Sequence, residues 1–330
     1  MYNFSTKTIL VTGGAGYIGS HVLLALKDTG ATVVVLDDLS TGRKASVLYG
    51  TLVQQDLSDR VALEQLFATY CFDAVMHFAG KIVVSESVAQ PLFYYFQNTE
   101  LALTLLTMCQ KFSVPHFVFS STAAVYGVPE TLPISETHPT QPISPYGQSK
   151  LMFESMLLDY QRSCSYFSYC ALRYFNVAGA AYESALGQYF SKATHLIKVA
   201  CQVALGKRSV FSIYGDDYDT DDGTCIRDFI HVQDLAEAHI MSLAYLFDGG
   251  RSQVMNCGYG HGYSVKQVLD VFRCRLKLDF PIEVAERRLG DPSVLISDAS
   301  FIRSVLDWKP KKDDLFEIVR SAYLFEQQLD

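Results

Sequence analysis

Apolar positions recur along this chain in two periods, and through the first half the two alternate. A run of five at 8–12 is followed by helix-spaced apolar residues from 21 to 27, then by a second continuous run at 31–36. The same reading predicts strands over 51–55, 74–78, 116–119 and 169–173, with helices over 60–70, 87–111 and from 146 onward. Short apolar runs separated by helices are the pattern of a parallel sheet covered on both faces. After residue 180 the alternation loosens. Helices are predicted over 194–206, 232–247, 264–276, 299–306 and 315–327, and strands over 210–214, 253–257 and 282–286, with aromatic, glycine and acidic loop residues between them. Two domains are therefore expected, 1–179 and 180–330, with part of 228–260 packing back on the first.

The first strand runs straight into Gly13-Gly-Ala-Gly16-Tyr-Ile-Gly19. Three spaced glycines at a strand-to-helix turn have separate tasks: the tight turn, close backbone approach to a pyrophosphate, and helix packing on the strands. Amides at the start of the following helix would face the phosphates. The second strand ends in Asp37-Asp38, where a carboxylate accepts hydrogen bonds from ribose hydroxyls and repels the extra phosphate of NADP. NAD is the cofactor this pattern prefers, with a turn or cap residue opening the next loop as the lesser reading of Asp37. Asp56 is placed beside the adenine, and Gly80, just past the fourth strand, lets backbone approach a ligand. The expected fold is α/β, a Rossmann-type doubly wound parallel sheet with a smaller α/β substrate-binding domain.

A second constellation lies at Tyr146-Gly-Gln-Ser-Lys150. Residues four apart on a helix share a face, so the phenol and the ammonium address one small volume, and the lysine charge is expected to lower the tyrosine pKa. A packed tyrosine and a solvent-reaching lysine would show the same spacing. Ser120-Ser-Thr122 stands just past the fifth predicted strand, at the carboxyl end where open α/β sheets bind ligands, though turns also favour these residues.

Composition narrows the class. The 330 residues are 49% hydrophobic with a formal charge of -8, which suits a folded globular protein and argues against nonspecific nucleic-acid binding. No leader precedes the first apolar run and no apolar stretch reaches membrane-spanning length, so no membrane association and a cytoplasmic location are expected. Eight scattered cysteines without a C-x-x-C pair are read as reduced thiols, and no metal site is expected.

With these residues in view, the chain resembles the extended short-chain dehydrogenase/reductase family, and within it the nucleotide-sugar 4-epimerases. The likeness runs over essentially the whole chain: TGGAGYIGS at 12–20, DDLSTG at 37–42, FSSTAAVYG at 119–127, SPYGQSK at 144–150, LRYFNVAGA at 172–180, IYGDDYDTDDGTCIRDFIHVQDLA at 213–236 and RRLGD at 287–291. The resemblance implies reversible inversion at carbon 4 of the hexose of UDP-glucose and UDP-galactose, through a transient 4-keto sugar and hydride transfer to and from bound NAD. It implies catalytic roles for Tyr146 as proton acceptor and donor, Lys150 and Thr122. The cofactor set it implies is Gly13, Gly16, Tyr17, Ile18, Gly19, Asp37, Asp38, Asp56, Leu57, Phe78, Ala79, Gly80, Asn98, Ser120, Tyr146, Lys150 and Tyr174. For the UDP-hexose it implies Thr122, Tyr146, Asn176, His195, Leu196, Arg227, Arg288 and Asp291. A homodimer through helices near 88–112 and 147–162 is expected, with burial of those faces inside one subunit as the alternative.

Several departures bear on the reading. Lys81 directly follows Gly80, one place earlier than in many relatives, and Glu100 and Leu101 replace the usual residues after Asn98. Leu295, near the position that gates substituents at sugar carbon 2, leaves N-acetylated sugars open. Ala123-Ala124 stand where dehydratases of this architecture carry an acidic pair, which counts against dehydration. Epimerisation of another UDP-sugar, such as a pentose or hexuronate, and a non-enzymatic NAD-binding interaction subunit are the alternatives. The acidic loop at 215–224 is expected to be a solvated turn.

Overall fold

A computed structural model describes residues 2–190, 194–288 and 290–329; Leu289 of the RRLGD run lies outside them. In chain order the first half forms β1 (Thr8–Thr12), α1 (Tyr17–Lys27), β2 (Thr32–Asp37), β3 (Thr51–Gln54), α2 (Arg60–Thr69), β4 (Ala74–His77), α3 (Val84–Ala89), α4 (Pro91–Tyr95), α5 (Leu101–Lys111), β5 (His116–Ser120), α6 (Pro145–Ser163) and β6 (Ser168–Tyr174). Their strands, with Gln253–Cys257 at one edge, make a seven-stranded sheet ordered β3-β2-β1-β4-β5-β6-Gln253–Cys257. Every pairing from β3 through β6 is parallel. The order reverses between β1 and β4, and the crevice at such a reversal is where doubly wound sheets take their ligands. The fold is the Rossmann-type α/β architecture that the alternation predicts.

Strand interiors are apolar on both sides because helices cover both faces. Leu10, Val34, Val75, Phe117 and Phe119 pack with Leu105, Phe153 and Leu157 in one core. Helix α6 begins where the sequence dictates: the Ser144 hydroxyl accepts the Gly147 amide at 3.2 Å, and Pro145 occupies the first turn. The single helix predicted over 87–111 is instead interrupted. Gln90, restricted by the following Pro91, leaves helical backbone (φ -132°, ψ 61°), and a wide π-type turn over Phe96–Glu100 separates α4 from α5.

The chain divides into two compact units, 1–127 with 142–173 and 236–255, and 128–141 with 174–235 and 256–330. The break at 179 expected from sequence thus lies at 173/174, and 128–141 belongs to the second unit. Hydrogen bonds explain the latter assignment: Ile134 N–H donates to the Ile296 carbonyl at 2.8 Å, and the Ile134 carbonyl accepts from Asp298 N–H at 2.7 Å and Asn256 Nδ2 at 2.8 Å.

Within the second unit, Asn176–Ala178 pairs in parallel with Phe229–His231, and Ile226–Arg227 lies between Tyr263–Ser264 and Val294–Leu295. Buried Asp228 accepts the amides of Tyr259 (2.9 Å), Gly260 (3.1 Å) and Ser297 (3.2 Å), which fixes the backbone next to Arg227. The acidic loop is not a simple solvated turn. Tyr218 and Thr224 are buried, and Asp222 gathers the Thr224 amide (2.8 Å) and hydroxyl (2.6 Å) and the Ser264 hydroxyl. Asp222 thus folds the loop by accepting the loop's own Thr224 donors and ties it to Ser264.

Candidate active site

The glycine loop is held open by steric necessity. Gly13 has φ +70°, and a Cβ there would sit 2.7 Å from the Phe78 carbonyl carbon; one at Gly19 would sit 2.8 Å from Gly14 Cα. Only hydrogen fits at either place. Helix α1 starts at Tyr17, four residues earlier than its apolar periodicity predicts, and its Gly16 cap supplies no side-chain acceptor. Its first amides are therefore presented by bare backbone, the arrangement that suits a pyrophosphate.

Asp37 closes the loop from the end of β2. One carboxylate oxygen accepts the Ala15 amide and the other the Leu39 amide, both at 2.9 Å. Burial, reinforced by neighbouring Asp38, holds this carboxyl above its usual range against those two hydrogen bonds. Asp38 and Asp56 are exposed and accept the amides of Ser40 (2.9 Å) and Ser58 (2.7 Å), so each shapes its own turn. Leu57 is buried, and Tyr17, Ile18 and Ala79 are half-buried. The Phe78 ring lies 4.9 Å from that of His239.

Asn98 sits in the π-type turn, buried, with its amide wholly committed to protein. Its Oδ1 accepts Lys81 N–H at 2.8 Å, and Nδ2 donates to the Lys81 carbonyl at 3.0 Å and the Ser149 hydroxyl at 3.1 Å. It therefore pins the loop after β4, where Gly80 leaves the backbone exposed, to helix α6. The Lys81 ammonium lies 5.8 Å from the Phe93 ring centre.

Tyr146, Lys150 and Thr122 come together and are all buried. Tyr146 and Thr122 share a side-chain hydrogen bond. Thr122 Oγ1 also accepts the Ala124 amide at 3.1 Å, which sets the direction of its hydroxyl. Lys150 Nζ donates to the Ser120 carbonyl at 2.9 Å and lies 4.9 Å from the Phe119 ring centre. Burial raises the Tyr146 phenol above its ordinary pKa, with the Thr122 hydrogen bond opposing. This corrects the expectation that lysine acidifies the phenol: in the protein alone, desolvation of the phenolate outweighs its neighbours. Lys150 is itself lowered to about 8 by burial, with the Glu154 charge opposing.

In the second unit Arg227 and Asp291, assigned separately to the substrate, form an ion pair at 2.5 Å; Arg227 Nη1 also donates to the Ile226 carbonyl at 2.7 Å. The Arg288 guanidinium lies 3.9 Å from the Tyr214 ring centre, a cation-π platform that sequence reading missed. Asn176 is half-buried on a short strand, and its own amide donates to the Asp228 carbonyl at 3.0 Å. Tyr174 is buried. His195 precedes the helix Leu196–Ala204 and accepts the Gln188 side-chain amide on Nδ1 at 2.7 Å, an assignment that leaves Nε2–H as a donor. Burial lowers its pKa and keeps the ring neutral.

Among the described residues, no group of three or more His, Cys, Asp or Glu side chains is arranged to hold a metal ion. All eight cysteines are free thiols. No helix among the described residues is long and apolar enough to cross a membrane.

This geometry has close counterparts. A UDP-glucose 4-epimerase of Azospirillum brasilense is 52% identical over 327 residues, 99% of this chain and 94% of its own length. The structure of the UDP-Glc/GlcNAc 4-epimerase of Campylobacter jejuni superposes with a TM-score of 0.87 at 50% identity, covering 98% of this chain and 99% of that one. The Bifidobacterium longum UDP-glucose 4-epimerase, in complex with NAD+ and UDP, superposes with a TM-score of 0.90 at 35% identity over 98% of this chain and 99% of that one. Residues 9–258 match the NAD dependent epimerase/dehydratase family. With a match over most of its length and relatives of this identity, the chain belongs to the NAD-dependent epimerase/dehydratase family.

Proposed function

We infer that this protein is an NAD-dependent UDP-glucose 4-epimerase, interconverting UDP-glucose and UDP-galactose. The observation that carries the reading is the buried cluster of Tyr146, Thr122 and Lys150 at the carboxyl end of β5, on a chain 52% identical to a UDP-glucose 4-epimerase. The glycine loop, the bare amides of α1 and the Asp37 carboxylate fit NAD: a Cβ would fill the cradle at Gly13, and the carboxylate would repel a 2′-phosphate.

When bound, NAD supplies the two-electron acceptor and donor for carbon 4, and a positive charge that favours phenolate. Tyr146 takes the proton of the sugar 4-hydroxyl and later returns it. Thr122 orients the reacting oxygen through the hydroxyl that also meets Tyr146. Lys150, anchored on the Ser120 carbonyl, holds the nicotinamide ribose. In the second unit Arg227 and Arg288 take the diphosphate, with Asp291 keeping the Arg227 fork in place. Asn176 and the His195 Nε2–H read the sugar side. Asn98 serves the cofactor through the loop it pins.

The reading extends to a homodimer. Leu92, Phe96, Leu103 and Met152 are exposed and line an apolar groove on α4, α5 and α6, which a second copy would cover. Eight free thiols support a cytoplasmic location. A second substrate class is favoured by the Campylobacter jejuni relative, whose name includes the N-acetylated sugar. Leu295 is half-buried beside Arg227 in the three-stranded sheet.

The test is to incubate the purified protein with UDP-galactose without added oxidant and separate the nucleotide sugars. UDP-glucose is expected as product, with NAD released on denaturation; no product would overturn the reading. The same assay with UDP-N-acetylgalactosamine decides the second substrate.

A further inference from the structure

Helix α6 meets the end of β5 at three successive turns. Tyr146 shares a hydrogen bond with Thr122, Lys150 donates to the Ser120 carbonyl, and Glu154 accepts the Ser121 hydroxyl. The helix positions follow an i, i+4, i+8 stripe and their partners are Ser120, Ser121 and Thr122, at and just past the end of β5, so the contacts tie one helix face to one short segment. The mechanism above uses the first two contacts. Glu154 touches none of the reacting groups.

Glu154 and its partner Arg173 are both buried. From the end of β6, Arg173 donates from Nε to Oε1 at 3.0 Å and Oε2 at 3.2 Å, and from Nη2 to Oε2 at 2.5 Å. Its remaining Nη1 donates to the Tyr126 hydroxyl at 3.0 Å. A buried ion pair is a weak source of stability, because desolvation of both ions offsets their attraction. Its position beneath the proposed catalytic cluster points to a different use. With the Tyr146 phenol neutral, Lys150, Arg173 and Glu154 leave a net positive charge in the buried set; with Tyr146 ionised the set balances.

We propose that Glu154, gripped by Arg173, is a positioning residue that holds α6 against the Ser120–Thr122 segment and supplies the counter-charge to the Lys150 ammonium one turn away. The proposal rests on the roles given above to Tyr146 and Lys150. Around Lys150 are Tyr146 and Glu154, one turn to either side on its own helix, His77 at the end of β4 and the Gly80 turn beyond it, the Phe119 ring and Ser120 carbonyl of β5, and Arg173 of β6 behind the carboxylate. His77 is held neutral by burial, so among these Glu154 supplies the negative charge. Burial lowers Lys150 to about 8 and Glu154 opposes that shift, so removing the carboxylate charge lowers Lys150 further.

The test uses the NAD-loaded enzyme and the pH profile of kcat for UDP-galactose. In Glu154→Gln, bound NAD is kept and KM stays within roughly twofold of wild type. The alkaline limb of kcat moves about one pH unit lower, a loss of roughly tenfold at alkaline pH. Glu154→Asp restores the limb towards wild type. The uncharged double variant Glu154→Leu/Arg173→Met removes the ion pair without leaving an unpaired charge, so it carries the test if Glu154→Gln does not fold. It is expected to shift the limb in the same direction but by less, because the opposing Arg173 charge leaves with the nearer carboxylate. An unmoved limb in Glu154→Gln, or a wild-type limb in the double variant, would show that the pair only holds the fold. Inactive wild-type enzyme, by contrast, would overturn the assignment of function, whereas an active wild type with an unmoved limb overturns only the role of Glu154.

Discussion

The Asp37 carboxylate accepts the Ala15 amide at 2.9 Å, tying the end of β2 to the glycine loop. The same side chain accepts the Leu39 amide, so its proposed recognition of ribose is built on a carboxylate already fixed in direction. Replacing it therefore removes a ligand contact and loosens the loop that cradles the phosphates. Asp37→Ser is expected to weaken NAD binding roughly ten- to a hundredfold, the size of a hydrogen bond to a charged group, and to reduce discrimination against NADP. Titration of the cofactor-stripped variant with both nucleotides checks this; unchanged selectivity would remove Asp37 from the ribose site.

Tyr146 and Lys150 set opposite limbs of the pH profile. Burial raises the phenol and the positive charge of bound NAD opposes it, so on the NAD-loaded enzyme kcat is expected to rise with pH as Tyr146 ionises and to fall as Lys150, lowered to about 8 by burial, loses its proton. Tyr146→Phe keeps the aromatic packing and bound NAD but loses about a hundred- to ten-thousandfold in kcat, the usual worth of a positioned proton acceptor. Steady-state rates on the NAD-loaded variant decide it. Near-normal turnover would exclude Tyr146 from proton transfer.

Arg227 is assigned to the substrate rather than to the reacting atoms, so its loss should appear in KM. Arg227→Met is expected to raise KM for UDP-galactose roughly ten- to a hundredfold with kcat little changed and NAD retained. The reverse pattern would place Arg227 in the chemical step.

His77 links stability to acid. Fully buried at the end of β4, with Nδ1 2.6 Å from the Thr12 hydroxyl, it is pushed down to about 3 by burial and by the Lys150 charge. Above its usual value of 6.5 the group is neutral in both folded and unfolded chains. Below that value the unfolded chain binds a proton the folded one refuses, so stability falls as pH drops from 6.5 towards 3. Between pH 7 and 5 this group alone contributes a loss of about 2 kcal/mol. His116 and His195, also lowered by burial, act in the same direction. Urea denaturation of wild type and His77→Gln at both pH values should show the smaller acid loss in the variant; equal slopes would contradict the assignment.

Leu92 is 81% exposed on the apolar groove proposed as the dimer face. A carboxylate there would be buried unpaired at a two-fold interface. Leu92→Glu is expected to sediment at the 36.8 kDa of one chain, where wild type sediments at twice that mass. A wild type that is monomeric at micromolar concentration would refute the interface.

The sequence by itself determined the elements whose causes are local. Apolar runs at 8–12, 74–77 and 116–119 specify strands, the glycines at 13, 16 and 19 specify a turn that tolerates no side chain, and the four-residue spacing of Tyr146 and Lys150 places both on one helical face. These follow from backbone sterics and periodicity, which neighbouring residues decide among themselves. What depended on distant partners was hidden. The interruption of 87–111 had a local signal in Pro91, but the commitment of Asn98 to Lys81 and Ser149 did not. Glu154 stands on the Tyr146 stripe and was legible as a position, yet only β6 brings Arg173 to it. The protonation of Tyr146 was read with the wrong sign, because spacing reveals a neighbouring charge whereas desolvation is set by everything packed around the phenol. Tertiary structure alone decided that cost, since burial is a property of the assembled core rather than of any segment in it.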